Sequence, residues 1–268
     1  MMLVKLVDLD MGDREGLGNK NKDFAWSKTE TGICVYTGQC LNRFEMSPSS
    51  VNIAWIIEPY ELNPHPYNYI RANYDKFKNV LTPYKEFNKT IPNAVYVPFG
   101  TTWIDDNSCD IYDKTKDVSI IASFKKQMYG QVLRHECVER FGNSMDVGGN
   151  GYQKLESKLE LLKDYRYSVV IENVIKNGWF TEKLIDCFRT GTIPIYFGDG
   201  DIANIFDING MYTFKSLDGL ETILNGIETG GEEIYNNRMT SIENNYILAN
   251  EYSTPEEVLW DYYFKDMT

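Results

Sequence analysis

The stretch Tyr167–Gly198 constrains the fold most, because it contains two apolar strands separated by one helix. Its first part, Tyr167–Ile171, is a short run of β-forming apolar residues that predicts a buried strand. The spacing of apolar residues predicts a helix that begins at Thr181, and Ile193–Phe197 forms a second apolar strand. A strand–helix–strand unit of this kind favours a parallel α/β sheet, in which ligands bind at the carboxyl edge of the strands.

The polar groups of this unit gather where the first strand meets the helix. Glu172 and Asn173 follow the strand, and Thr181 is suited to cap the helix. Free backbone N–H groups at such a helix start favour an anion, and Lys183 adds a positive charge. These residues by themselves are equally consistent with an ordinary βαβ unit that has a well-capped helix.

Strands and helices alternate along the rest of the chain, which predicts two α/β domains facing a cleft. The further predicted strands are residues 2–9, Ile33–Thr37, Val51–Ile57, Val80–Thr82, Ala94–Pro98, Val118–Ala122 and Met211–Phe214. The further predicted helices are Tyr69–Lys78, Gln131–Phe141, Gln153–Leu162, Leu217–Glu228, Glu232–Leu248 and Pro255–Lys265, whereas Glu61–Tyr69 is predicted as a loop. Trp103–Lys116 is the predicted linker, so that the domains are residues 1–112 and 113–268, with the last helix able to pack back on the first domain.

Composition and spacing exclude several classes of protein. The formal net charge of −12 disfavours nucleic acid and anionic membranes as partners. No apolar run is long enough for a membrane span or a signal-peptide core, so we expect a cytoplasmic protein. The five cysteines contain no CxxC pair and indicate neither a disulfide framework nor a thiolate zinc site. A dinucleotide-dependent oxidoreductase is disfavoured because no GxGxxG follows the first strand.

The stretch described first resembles the donor-binding signature of the α-1,3-fucosyltransferase family. That signature reads Glu-Asn, a loop of fixed length, Thr-Glu-Lys, and an apolar-Pro-apolar strand that ends in Gly. In this chain it stands as Glu172-Asn173, seven residues, Thr181-Glu182-Lys183, Ile193-Pro194-Ile195 and Gly198. Two positions depart from the family pattern, since Val174 replaces the usual Ser and Trp179 the usual Tyr.

Shorter similarities to the same family lie elsewhere in the chain. Trp55–Pro59 is similar to its Trp…Glu-Ser-Pro segment, although here Pro59 follows Glu58 directly. Val97–Gly100 is similar to its Val-Pro-Tyr-Gly turn. Ala122-Ser123 followed by Leu133-Arg134 is similar to the strand, loop and helix that carry its arginine.

The resemblance implies a GT-B architecture of two Rossmann-like domains and an inverting, metal-independent transfer of L-fucose from GDP-fucose to a glycan hydroxyl. It implies Glu58 as the general base and Arg134 and Lys183 as phosphate binders. The donor-binding residues that it implies are Ser123, Arg134, Glu172, Asn173, Trp179, Thr181, Glu182 and Lys183. The partners would then be a nucleotide-sugar donor and a glycan acceptor, with no metal or other cofactor.

The residue types agree with this chemistry. A leaving diphosphate develops negative charge, which arginine and lysine side chains can stabilise. A carboxylate such as Glu58 can remove the proton of the attacking hydroxyl.

Two alternatives stay open from the sequence. The acidic pairs Asp8/Asp10 and Asp199/Asp201 have the DxD spacing with which metal-dependent GT-A glycosyltransferases hold a divalent ion against a nucleotide diphosphate. The richness in tyrosine and tryptophan is also consistent with a non-catalytic sugar- or nucleotide-binding protein.

Overall fold

Two parallel β-sheets organise the chain, one in each of two units. The computed structural model describes residues 1–9, 11–29, 31–45 and 51–268. The first unit comprises Met1–Gly100, Asn177–Trp179 and Thr254–Thr268, and the second comprises Thr101–Lys176 and Phe180–Ser253. The α/β class predicted from the sequence is therefore confirmed.

The regular elements of the described residues are as follows. The strands are β1 (Met2–Val7), β2 (Phe24–Ser27), β3 (Ile33–Thr37), β4 (Val51–Trp55), β5 (Asn79–Thr82), β6 (Ala94–Tyr96), β7 (Lys116–Ile121), β8 (Asp146–Gly148), β9 (Tyr165–Ile171), β10 (Ile193–Phe197) and β11 (Tyr212–Thr213). The α-helices are α1 (Pro64–Asn73), α2 (Tyr129–Phe141), α3 (Glu182–Phe188), α4 (Leu217–Asn236), α5 (Met239–Glu251) and α6 (Pro255–Tyr262). No helix of the described part of the chain combines the length and the apolarity that crossing a bilayer requires.

The sheet of the first unit has the strand order β2-β1-β3-β4-β5-β6, and every neighbouring pair is parallel. Aromatic side chains pack together in this unit, where the centre of the Phe24 ring lies 5.0 Å from that of Phe264. Trp26 Nε1 donates a hydrogen bond of 2.7 Å to Glu256, which is buried on α6. The last helix thus packs on the first strands of the chain.

The sheet of the second unit has the order β11-β10-β9-β7-β8 and is also parallel throughout. All seven residues of the central strand β9 are buried, as expected for a parallel strand that is covered on both faces. The core packed around it contains Ile120, Leu133, Ile195 and Leu220. This core places the carboxyl ends of β7 and β9 beside α2 and α3.

Four helices differ from those predicted by periodicity. The predicted helix Gln153–Leu162 is wrong, because only Lys158–Leu161 forms a 3-10 turn, which starts at the capping residue Ser157. Helix α1 starts at Pro64, inside the predicted loop, since proline needs no backbone donor in a first helical turn. Helix α4 runs past its predicted end at Glu228 and is kinked at Gly230. It includes the start of the predicted helix Glu232–Leu248, so that α5 begins only at Met239.

The predicted linker Trp103–Lys116 is attached to the second unit. Asp186 Oδ1 accepts hydrogen bonds from Thr102 Oγ1 at 2.7 Å and from the backbone N–H of Trp103 at 2.8 Å. Arg189 Nη1 donates to the carbonyl oxygen of Ile104 at 3.1 Å. The division between the units therefore falls after Gly100, earlier than the predicted boundary.

Candidate functional site

A cavity of about 230 Å³ opens at the carboxyl ends of β7 and β9 in the second unit. Parallel sheets bind their ligands at this edge. Four of the residues predicted to bind a donor line this cavity: Ser123, Arg134, Glu182 and Lys183. Its other charged lining residues are Lys158 and Asp186.

Glu172 is fully buried and binds the residue that caps the start of α3. Its carboxylate accepts hydrogen bonds from the backbone N–H of Thr181 at 3.0 Å and from the Thr181 hydroxyl at 2.9 Å. The Thr181 hydroxyl in turn accepts from the backbone N–H of Lys183 at 3.4 Å, which makes it the N-cap. The anion predicted for this helix start is therefore already supplied by the protein.

Arg134 projects from α2 into the cavity although its side chain is almost entirely buried, with 7% of the residue exposed. One terminal nitrogen, Nη2, donates to Oδ1 of Asn173, whereas the buried Nε has no hydrogen-bond partner within the described part of the chain. Burial lowers the pKa of Arg134, and the carboxylates of Glu172 and Glu182 oppose this shift. The guanidinium is thus a buried cation that is incompletely compensated.

Lys183 projects from the first turn of α3 between two carboxylates. Its Nζ lies 3.4 Å from Glu172 Oε2 and 3.4 Å from Glu182 Oε1. Burial by itself would lower the pKa of Lys183, but Glu172 and Glu182 together raise it above its ordinary value. Lys183 is therefore charged at neutral pH.

A close backbone contact fixes the distance between α2 and the end of β9. The backbone N–H of Gly130 donates to the carbonyl oxygen of Asn173 at 3.0 Å. A Cβ atom at Gly130 would lie 1.7 Å from the carbonyl oxygen of Glu172, so only glycine permits this approach. This contact brings Arg134, one turn further along α2, next to Asn173.

The two other predicted site residues belong to the first unit. Glu58 is exposed after the carboxyl end of β4, and its carbonyl oxygen accepts a hydrogen bond of 2.9 Å from Tyr67 Oη on α1. Trp179 is buried, and its ring lies 5.4 Å from that of Tyr84. The backbone around Trp179 is also held in this unit, since Tyr96 Oη donates to the carbonyl oxygen of Gly178 at 2.8 Å.

The acidic pairs with DxD spacing lie outside the cavity lining. Asp8 accepts hydrogen bonds from Thr37 Oγ1 and from the backbone N–H of Met11, and Asp10 lies outside the described residues. Asp199 stands at the N-cap position of a 3-10 helix, Gly200–Asn204, whose first turn contains Asp201. The part of the chain that the structure describes contains no group of three or more His, Cys, Asp or Glu residues arranged to hold a metal ion.

Sequence reasoning missed Lys158 and Asp186, which both line the cavity. Lys158 Nζ lies 3.3 Å from Glu182 Oε1 and 3.3 Å from Asp186 Oδ2. Asp186 stands one turn after Glu182 on α3, a spacing that could have indicated a second carboxylate on the same helix face. Lys158 reaches the cavity from a turn between β8 and β9. No motif in the sequence around it indicates that its side chain lies in the site.

Residues 112–237 match the model of a known family, described as glycosyltransferase family 10 (fucosyltransferase) C-term. We call this matched segment the family 10 domain. The resemblance to the α-1,3-fucosyltransferase family is thereby confirmed. The family 10 domain contains the whole cavity lining, from Ile121 to Cys187.

A curated relative covers a smaller part of the chain. The Alpha-(1,3)-fucosyltransferase FucT of Helicobacter pylori is 35% identical over 106 residues, which are 36% of this chain and 22% of the relative. The chain thus spans about a fifth of the length of this curated relative.

Solved structures show the fold of the chain beyond the family 10 domain. A crystal structure of an α1,3-fucosyltransferase has a TM-score of 0.56 and 13% identity, with 93% of this chain and 89% of that chain covered. A crystal structure of α1,3-fucosyltransferase with GDP-fucose has a TM-score of 0.53 and 15% identity, with coverages of 89% and 81%. The predicted GT-B-like fold is therefore confirmed.

Proposed function

We propose that this chain is an inverting, metal-independent glycosyltransferase that transfers L-fucose from GDP-fucose to a hydroxyl group of a glycan. The observation that carries this proposal is the buried Arg134 in the cavity at the carboxyl ends of β7 and β9, which we call the donor cavity. Among the described residues, Arg134 bonds the neutral side chain of Asn173 and enters no ion pair, and its Nε has no hydrogen-bond partner. A buried cation of this kind is stabilised by an anion that brings its own hydrogen-bond acceptors.

A diphosphate group is the anion that suits the cavity best. Arginine can bind two phosphate oxygens in parallel, and Lys183 provides a second positive charge at the start of α3. Because the carboxylate of Glu172 already binds the N-cap residue Thr181 at this helix start, we assign phosphate binding to the side chains. Both cations stabilise the charge that develops on the leaving diphosphate, which is how they would accelerate the transfer.

The family 10 match and the GDP and GDP-fucose of related solved structures support fucose as the transferred sugar. In the proposed reaction the acceptor oxygen attacks C1 of fucose from the face opposite to the diphosphate. The bond between C1 and the phosphate oxygen breaks, GDP leaves with the electron pair, and Glu58 takes the hydroxyl proton. The attack from the opposite face inverts the configuration at C1.

A nucleotide screen tests the donor. We expect GDP and GDP-fucose to raise the unfolding temperature and to bind in calorimetry more tightly than ADP, UDP, CMP and their sugars. The physical reason is that all of these offer a phosphate to Arg134, so that the difference between them reports recognition of the base and the sugar. A response to UDP compounds with none to GDP compounds would overturn the donor assignment.

Chelation distinguishes the proposal from a metal-dependent transferase that uses a DxD pair. We expect the initial rate of fucose transfer to stay within about twofold of its starting value in excess EDTA, because Arg134 and Lys183 supply the positive charge that a metal ion would otherwise provide. The measurement is release of GDP in the presence of a glycan acceptor panel. Loss of the rate in EDTA and its return with manganese would favour the metal-dependent mechanism instead.

A further inference from the structure

Five charged side chains form a continuous series of ion pairs, and all of them except the fully buried Glu172 line the donor cavity. Their order is Glu172, Lys183, Glu182, Lys158 and Asp186, with nitrogen–oxygen distances of 3.4, 3.4, 3.3 and 3.3 Å. Lys183 and Lys158 contact the same oxygen of Glu182, Oε1. Glu182 is therefore a carboxylate that two lysines share.

The two lysines differ in what else they contact. Lys183 also contacts Glu172 and stands on the side of the cavity where Arg134 enters. Lys158 is held on the other side by Asp186, a buried carboxylate, and its Nζ lies 5.3 Å from the centre of the Trp103 ring. These contacts fix the Lys158 ammonium independently of Lys183.

Donor binding changes the surroundings of Glu182. This step rests on the proposed function, in which the donor diphosphate binds Arg134 and Lys183. The phosphate then neutralises part of the positive charge of Lys183 and adds a negative charge near Glu182. Both changes disfavour the ionised carboxylate unless a further cation compensates them.

We propose that Lys158 is a positioning residue that keeps Glu182 ionised and fixed when the donor diphosphate occupies Lys183. An ionised carboxylate only accepts hydrogen bonds, so Glu182 can accept them from the hydroxyl groups of the nucleotide sugar. A protonated carboxyl group would instead carry a donor of its own. Lys158 thus acts on the donor through Glu182.

The charges that face Glu182 come from each element packed around it. Lys183 and Asp186 stand on the same helix, Lys158 on the 3-10 turn before β9, and Arg134 on α2. Burial raises the pKa of Glu182, but Lys183 and Lys158 lower it to about 2. We expect removal of Lys158 to raise the pKa of Glu182 in the free protein, and to raise it further in the donor complex.

Calorimetry with GDP-fucose between pH 5.5 and 8 tests this role, because its phosphate groups do not titrate in that range. We expect the affinity of the wild-type protein to be nearly independent of pH. In Lys158→Gln it should be about tenfold lower or more at pH 8 and should recover as the pH falls, since proton uptake by Glu182 relieves its repulsion of the phosphate. Comparison of two buffers with different ionisation enthalpies should show protons taken up on binding to Lys158→Gln.

Two further variants control for charge and for folding. Lys158→Arg keeps the cation and should restore the flat pH profile. Lys154→Gln removes an exposed lysine from the same segment and should behave as the wild type. Thermal unfolding of each variant reports whether it is folded.

Three results would overturn the inference. One is a Lys158→Gln variant with wild-type affinity at every pH. Another is an equal loss at every pH in both Lys158→Gln and Lys158→Arg, which would indicate a structural role alone. Failure of the wild-type protein to bind GDP-fucose would overturn the proposed function itself, and this inference with it.

Discussion

Replacement of Arg134 by methionine should weaken GDP binding about a hundredfold or more. Two charge-assisted hydrogen bonds to phosphate, at about 1.5–3 kcal/mol each, account for a loss of this size. The same change removes a buried and incompletely compensated charge, so the free energy of unfolding without nucleotide should change little. We therefore expect an unchanged unfolding temperature for the free protein and a much smaller increase on addition of GDP.

Arg140 provides the matched control, because it lies on the same helix outside the cavity and pairs with Asp218 and Glu221 at the surface. Arg140→Met should bind GDP as the wild type does. Arg134→Lys should bind with intermediate affinity, since lysine retains the charge without the paired donors. Wild-type GDP affinity in Arg134→Met would remove the main support for the proposed function.

Glu58→Gln should lower the turnover of fucose transfer by ~10²–10⁴-fold while GDP-fucose binding is kept. The amide of glutamine has nearly the same size as the carboxylate but cannot accept the proton of the attacking hydroxyl. Donor binding should persist, because the donor cavity is lined entirely by residues of the second unit, whereas Glu58 belongs to the first. The measurement pairs steady-state GDP release with calorimetry of GDP-fucose.

Glu61, an exposed carboxylate close to Glu58 in sequence, gives the control for this substitution. Glu61→Gln should retain the wild-type turnover. A Glu58→Gln enzyme with full activity would show that another group removes the proton. A wild-type protein that binds GDP-fucose but transfers it to no acceptor would instead favour the non-catalytic binding protein.

The most regular part of the fold could be predicted almost to the residue. Strand Ile193–Phe197 has its predicted bounds, and α3 begins directly after the predicted cap, Thr181. Both strands of this unit are apolar on two faces, a pattern that is typical of a covered parallel strand. The short edge strand β8 was missed, because three residues at a sheet edge carry too little apolar pattern.

The predicted helix Gln153–Leu162 failed for a physical reason. Gly149 and Gly151 both have positive φ angles, and the chain forms its helical turn only after Ser157. The backbone N–H of Ser157 is bonded to Glu160 Oε1 at 2.8 Å, which completes a capping box and defines where the turn starts. Local capping therefore outweighed the apolar spacing.

The sequence by itself determined the α/β class, the unit of β9, α3 and β10, and the motif residues Glu172, Thr181 and Lys183, because these depend on local pattern and spacing. Only the tertiary structure decided what these residues contact. Arg134 meets Asn173 across 39 positions of the chain, and Lys158 meets Glu182 across 24. Burial of a charge and the identity of its partner depend on such distant contacts, which no local pattern contains. The tertiary structure thus placed the Glu172 carboxylate at the helix start, buried Arg134 beside Asn173, and brought Lys158 to Glu182.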